Sequence, residues 1–129
     1  MDNKIFITEG FKKIFGTAEF DEAFLRQLFD TSYIQHVDGK TMGLEEFIQH
    51  MKLLKERTQS IHVDFRSVIT EGEIVFSNHV VEALMKDGSS SVIQVIAEFR
   101  INNGKVYYCD ELTHLISGDA ASRDLGSAH

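Results

Sequence analysis

Three turn signals, Glu71-Gly72, Asp87-Gly88 and Asn103-Gly104, cut the second half of the chain into four stretches rich in β-branched and aromatic residues. Strands joined by turns this short run antiparallel, because a parallel pair needs a crossover of a dozen residues or more. The spacing therefore predicts a meander of strands over Ile61–Thr70, Glu73–Lys86, Ser91–Ile101 and Val106–Ile116. Alternation is cleanest in the third, where Ile93, Val95, Ala97, Phe99 and Ile101 point one way and Gln94, Glu98 and Arg100 the other. Asn103-Gly104 is the strongest turn, since a type I′ hairpin needs positive φ at both central residues.

The first half has helical spacing instead. Ile7, Phe11, Ile14 and Phe15 share a face of one helix that ends near Gly16. Asp21 can cap a second, short helix burying Phe24 and Leu28. Leu44, Phe47, Ile48, Met51 and Leu54 line one face of a third helix over Leu44–Arg57, with Thr41 or Asp38 near its start as a cap. Between the second and third helices, Thr31–Gly39 reads as a loop or short strand. Three helices cannot cover both faces of a long twisted sheet. They are expected on one face of a curved antiparallel sheet, an α+β fold with a cone-shaped interior. The other face then needs a partner. Val80, Leu84, Val92 and Ile96 would leave apolar strand surface in water, so a homodimer through that face is expected.

Composition narrows the functional classes. With 129 residues, 43% of them hydrophobic, the chain fits one domain, read as residues 1–116 with a short polar tail over 117–129. One helical turn is possible within 119–125. No apolar run approaches the roughly 20 residues of a spanning helix, and Met1 to Lys4 do not begin a signal peptide, so no membrane association is expected. Acidic residues outnumber basic ones by 20 to 13, which argues against a nucleic-acid partner. A single cysteine, Cys109, cannot form an internal disulfide and suits a reducing cytoplasm. His-Glu-x-x-His, Cys-x-x-Cys, phosphate-loop and dinucleotide motifs are missing, so neither a metal nor another cofactor is expected.

The order of elements, the segment Tyr33-Ile34-Gln35-His36, the helix Leu44–Arg57 and above all Ala97-Glu98-Phe99-Arg100-Ile101-Asn102-Asn103-Gly104-Lys105-Val106 are familiar. Across roughly residues 3 to 116 the chain resembles the nuclear-transport-factor-2-like superfamily, and within it the SnoaL-like polyketide cyclases. That resemblance implies the fold more firmly than the reaction, since the superfamily holds cyclases, isomerases, dehydratases, epoxide hydrolases and non-catalytic modules. In the cyclases a carboxylate on the last strand acts as acid and base, and the matching residue here is Glu111. The proton-abstracting acid of the ketosteroid isomerases falls on or near His36, and their second acid on Ala97, whose methyl group cannot donate a hydrogen bond. The Arg-x-Asp pair of the epoxide hydrolases is absent from the two central strands.

Glu111 and His36 are therefore the candidate catalytic residues, and Tyr33, His79, Ala97, Phe99 and Cys109 the candidate contacts for a small apolar molecule. Asp110 and Glu111 alternate, so one of them points inward. His79 and Glu82, like Glu111 and His114, are three apart on a strand and face opposite sides. His50, one turn from Glu46, reads as half of a solvated pair. Two functions fit: an acid/base enzyme of the cyclase kind, and a non-catalytic ligand-binding or dimerisation module with the same pocket.

Overall fold

Asn103 and Gly104 take φ of 54° and 74°, and Asp38 and Gly39 take 50° and 87°, so positive φ at two successive residues turns two hairpins. The computed structural model describes residues 2–17 and 19–118. In chain order it holds α1 (Asn3–Phe15), α2 (Glu22–Leu28), β1 (Phe29–Val37), β2 (Lys40–Gly43), α3 (Leu44–Arg57), β3 (Thr58–Glu71), β4 (Ile74–Met85), β5 (Ser90–Asn102) and β6 (Lys105–Ser117). The helical turn expected within 119–125 lies outside the described residues.

The six strands form one sheet in the order β2-β1-β6-β5-β4-β3. The predicted meander is β3 to β6, each strand within a few residues of its expected bounds. The segment read as a loop or short strand is β1, and it pairs parallel to β6. The sheet is therefore mixed rather than wholly antiparallel. Tight turns fix the direction of consecutive strands only, and the long excursion through α3 and β3 to β5 leaves β1 and β6 free to run the same way.

Helix ends follow their local chemistry. The Asp2 carboxylate accepts from the backbone N–H of Lys4 at 2.8 Å, and that of Asp21 from Phe24 at 3.0 Å. Neither Asp38 nor Thr41 caps α3, which starts from Gly43. Their side chains are used across the sheet instead. Asp38 accepts from the Thr113 backbone N–H at 2.9 Å and from the Thr113 hydroxyl, while Thr41 Oγ1 lies 2.8 Å from His36 Nδ1. In α2, Leu25 joins Leu28 in the core, and Phe24 stays half-buried with the Lys13 ammonium 4.2 Å from its ring centroid.

All three helices pack on the inner face of the sheet, α1 chiefly against β3 and α3 against β1. Ile93, Val95, Ala97, Phe99 and Ile101 of β5 are all buried there, as their alternation requires. Phe76, Ile96 and Leu112 point to the outer face and remain exposed, Leu112 at 65%. Of the four apolar residues expected there, Leu84 and Ile96 are exposed and Val92 is half-buried. Val80, flanked across the ladder by Asp64 and Gln94, is already buried within the chain and offers no surface to a partner. Among the described residues, no helix is long and apolar enough to cross a membrane.

Candidate functional site

The alternation that builds the core also selects what enters the space between helices and sheet. β1 sends in Tyr33 and Gln35, β4 His79, β5 Val95 and Phe99, and β6 Cys109 and Glu111. Facing them from the helices are Phe11 and Phe15 of α1 and His50 and Met51 of α3. They enclose a cavity of about 60 Å³. By the same measure one water needs roughly 10–15 Å³, so the space admits a small group of atoms unless side chains move.

Glu111 stands opposite Ala97 on β5 and Val37 on β1. Asp110, one residue earlier, is exposed on the outer face, so the carboxylate that enters the cavity is that of Glu111. The residue as a whole is only half-buried, but its titration is governed by the enclosed carboxyl end. Burial there pushes its pKa up to about 8. The hydrogen bond with the Cys109 side chain acts in the opposite sense, and the charges of Asp38 and Asp110 add to the rise.

A buried polar chain leads to this carboxyl. The Tyr33 hydroxyl donates to Gln35 Oε1 at 2.5 Å, and Gln35 Nε2 donates to Glu111 Oε1 at 3.2 Å. Gln35 is 2% exposed, so both ends of its amide need such partners. Burial holds the Tyr33 phenol and the Cys109 thiol well above their ordinary pKa values, which keeps both neutral.

On β4, His79 Nδ1 lies 2.8 Å from Ser77 Oγ, and both residues are buried. The imidazole packs against Phe65 at 5.0 Å and Phe11 at 6.4 Å between ring centroids. These apolar surroundings push its pKa down to about 4, so it is neutral at pH 7.

The structure brings Glu111, Tyr33, His79, Phe99 and Cys109 to one cavity. It does not bring His36 there. Tyr33 and Gln35 face inward on β1, so the period of two sends His36 outward, where its ring meets Tyr108 at 5.6 Å and its register partner is Asp110. The sequence reading of His36 as a catalytic residue beside Glu111 is corrected accordingly, since its side chain does not line the cavity. Ala97 is buried beside Glu111, but the cavity lining passes to its inward neighbours Val95 and Phe99. Gln35 and His50 are lining residues that the sequence reading missed. Taking β1 as a strand and counting from Tyr33 would have found Gln35. Its spacing to Glu46 predicts a solvated His50, yet the residue is half-buried on the cavity side of α3. No group of three His, Cys, Asp or Glu side chains able to hold a metal occurs among the described residues.

Helices packed into the concave side of a six-stranded sheet, with a polar-tipped cavity between them, define the nuclear-transport-factor-2-like class of fold. An NTF2-like protein of unknown function from Exiguobacterium superposes with a TM-score of 0.71 at 17% identity, over 84% of this chain and 98% of that one. Wild-type IdmH from Streptomyces antibioticus, a candidate polyketide cyclase, superposes with a TM-score of 0.67 at 10% identity, over 82% and 90%. Residues 13–109 match the model of the SnoaL-like domain family, and the chain belongs to that family. An uncharacterized protein of Schizosaccharomyces pombe is 32% identical over 126 residues, 98% of this chain and 96% of its own length.

Proposed function

We propose that the protein binds a small, largely apolar molecule in the cavity and moves a proton on it through Glu111. The observation that carries this reading is a single enclosed carboxyl, tipped into an apolar cavity and hydrogen-bonded by Gln35, with a pKa of about 8. At pH 7 such a group is mostly the neutral acid with a minor carboxylate fraction, so both proton donation and proton removal are within its reach. Tyr33 and Gln35 hold the carboxyl in place, and Phe11, Phe15 and Phe99 give the cavity an aromatic wall. The family resemblance favours cyclase- or isomerase-like chemistry over hydrolysis.

A second reading rests on Ala97. It is the register partner of Glu111, and its methyl group stands where the isomerases carry a second acid. Among the described residues Glu111 is the one acid lining the cavity, which suits a binding module that never turns its ligand over. Both readings place the protein in the cytoplasm as a homodimer formed through the outer sheet face, where Phe76, Ile96 and Leu112 are exposed.

The deciding experiment is solvent-deuterium exchange into a panel of small apolar carbonyl compounds, followed by NMR with wild-type protein and Glu111→Gln. Exchange at a carbon beside the carbonyl that is lost in Glu111→Gln supports the enzyme. Binding of a panel member with no exchange in either protein supports the module.

A further inference from the structure

Glu111 is at one end of the cavity's polar inventory, and a second pair of buried polar groups sits two strands away with no part yet in the proposed chemistry. Ser77, Ala97 and Glu111 are in register across β4, β5 and β6, and His79 is the next inward residue on β4. Strand spacing and rise put the Cα atoms of His79 and Glu111 about 12 Å apart on one face of the sheet, and both side chains line the cavity. Ser77 engages Nδ1 of His79 at 2.8 Å, which leaves Nε2 as the nitrogen that a molecule in the cavity can meet. Beside His79 the cavity wall holds the apolar Phe11 and Val95, and Phe65 of β3 packs on the imidazole without lining the cavity.

We infer that His79, its tautomer fixed by a hydrogen bond donated from Ser77, donates Nε2–H to a carbonyl oxygen of the ligand, so that the ligand is a small ketone or enone lying between β4 and Glu111. This assignment deepens the acid/base reading and rests on it for the reaction, though not for the binding. A donor set among side chains that cannot accept, such as Phe11, Phe65 and Val95, favours a ligand that brings an acceptor. A neutral imidazole is suited to this work, since it polarises the carbonyl without bringing a buried charge. In the step itself the Glu111 carboxylate takes a proton from the carbon beside the carbonyl. The C–H electron pair becomes the carbon–carbon double bond of the enolate, and the carbonyl π pair moves to oxygen, where His79 donates to it. Return of the proton from Glu111 to carbon restores the carbonyl, so no oxidant or other reactant enters. Ser77 is a positioning residue in this scheme and touches only His79.

Cyclohexanone labelled with carbon-13 at the carbonyl is the probe, with methylenecyclohexane as its hydrocarbon counterpart. The wild-type protein is expected to bind the ketone about tenfold more tightly than the hydrocarbon, the worth of one buried hydrogen bond. Its carbonyl stretch should fall below that of the ketone in hexane. His79→Phe should abolish both the preference and the shift. Ser77→Ala, a smaller perturbation of the core, should mix the two tautomers by nitrogen-15 NMR and weaken the shift without abolishing binding. Equal binding of ketone and hydrocarbon, a carbonyl shift unchanged in His79→Phe and Ser77→Ala, or no binding of the ketone would overturn the inference. Deuterium exchange keeps it separable from the acid/base reading. A shift that depends on His79 without any exchange would sink catalysis and leave the recognition standing, whereas exchange that needs Glu111 but neither His79 nor Ser77 would do the reverse.

Discussion

Gln35 and Glu111, 76 positions apart in sequence, meet at 3.2 Å across the parallel pairing of β1 and β6. The contact is diagonal, since the register partner of Gln35 is Cys109 and that of Glu111 is Val37. Gln35 accepts from the Tyr33 hydroxyl on its carbonyl side, and this leaves its NH₂ group directed at the carboxyl. The candidate site is thus held by a strand that lies outside the meander, and the one parallel pairing in the sheet is what brings it there.

Tyr33→Phe removes the donor to Gln35 Oε1 while keeping the ring packed against Phe29 and Phe47. A buried carbonyl left without a partner costs about 1–3 kcal/mol. The variant is expected to unfold in urea with that loss of stability and an unchanged dependence on denaturant. In a Gln35→Leu background the same change should cost much less, because no orphaned acceptor remains.

The meander was legible in the sequence because three short turns and the alternation along β5 each demand it independently. Strand parity narrowed the inward carboxylate to Asp110 or Glu111, and only the resemblance to the cyclases singled out Glu111. β1 was not legible as a long strand. Asp30, Thr31 and Ser32 interrupt its apolar pattern, and a register irregularity between Phe29 and Ile34 breaks its alternation. Its parallel partner lies at the far end of the chain, where local pattern carries no information. Losing β1 as a strand also lost the parity that buries Gln35 and expels His36.

Cys109→Ala tests the local tuning of Glu111. The hydrogen bond with the Cys109 side chain holds the Glu111 pKa below what burial alone would produce. Without it the carboxyl should titrate at a still higher pH, read by carbon-13 NMR of the labelled side chain. A downward movement would mean that the cavity had admitted water in place of the sulfur.

The outer face carries Ile96 and Leu112 as direct cross-strand neighbours, exposed at 45% and 65%. If two copies bury this face, Ile96→Glu places a charge in the contact and should shift the protein to monomer at micromolar concentration by sedimentation velocity. Its fold should persist, because the substituted side chain already faces outward. A wild-type protein that sediments as a monomer under the same conditions would defeat the proposed dimer.

Two of the perturbed groups in the cavity, Glu111 and His79, tilt the pH dependence of stability in opposite directions. Glu111 titrates near 8 in the folded chain against an ordinary 4.5, so between those values the native state keeps a proton that the unfolded chain has lost. Stability from this group is full below about 4.5 and falls as pH rises toward 8, at up to about 1.4 kcal/mol per pH unit. His79 titrates near 4 against an ordinary 6.5, so below 6.5 the unfolded chain takes a proton that the native state refuses. Its contribution is full above about 6.5 and falls as pH drops toward 4, with a similar limiting slope. The carboxyls of Asp30, Glu45 and Asp87, held low by Ser32, Arg26 and Ser89, act below their ordinary range and outside this window. The two slopes should cancel between about 4.5 and 6.5, giving a plateau, and Glu111 alone should pull stability down from 6.5 to 8. Urea unfolding at each pH unit from 4 to 9 measures the curve. Glu111→Gln should lose the alkaline decline and retain only a rise from 4 to 6.5, ending more stable than wild type at pH 8. His79→Phe should lose the acid limb and decline steadily from 4.5 to 8. A Glu111→Gln curve parallel to wild type would show that the carboxyl does not titrate in a buried site, and the acid/base reading would go with it.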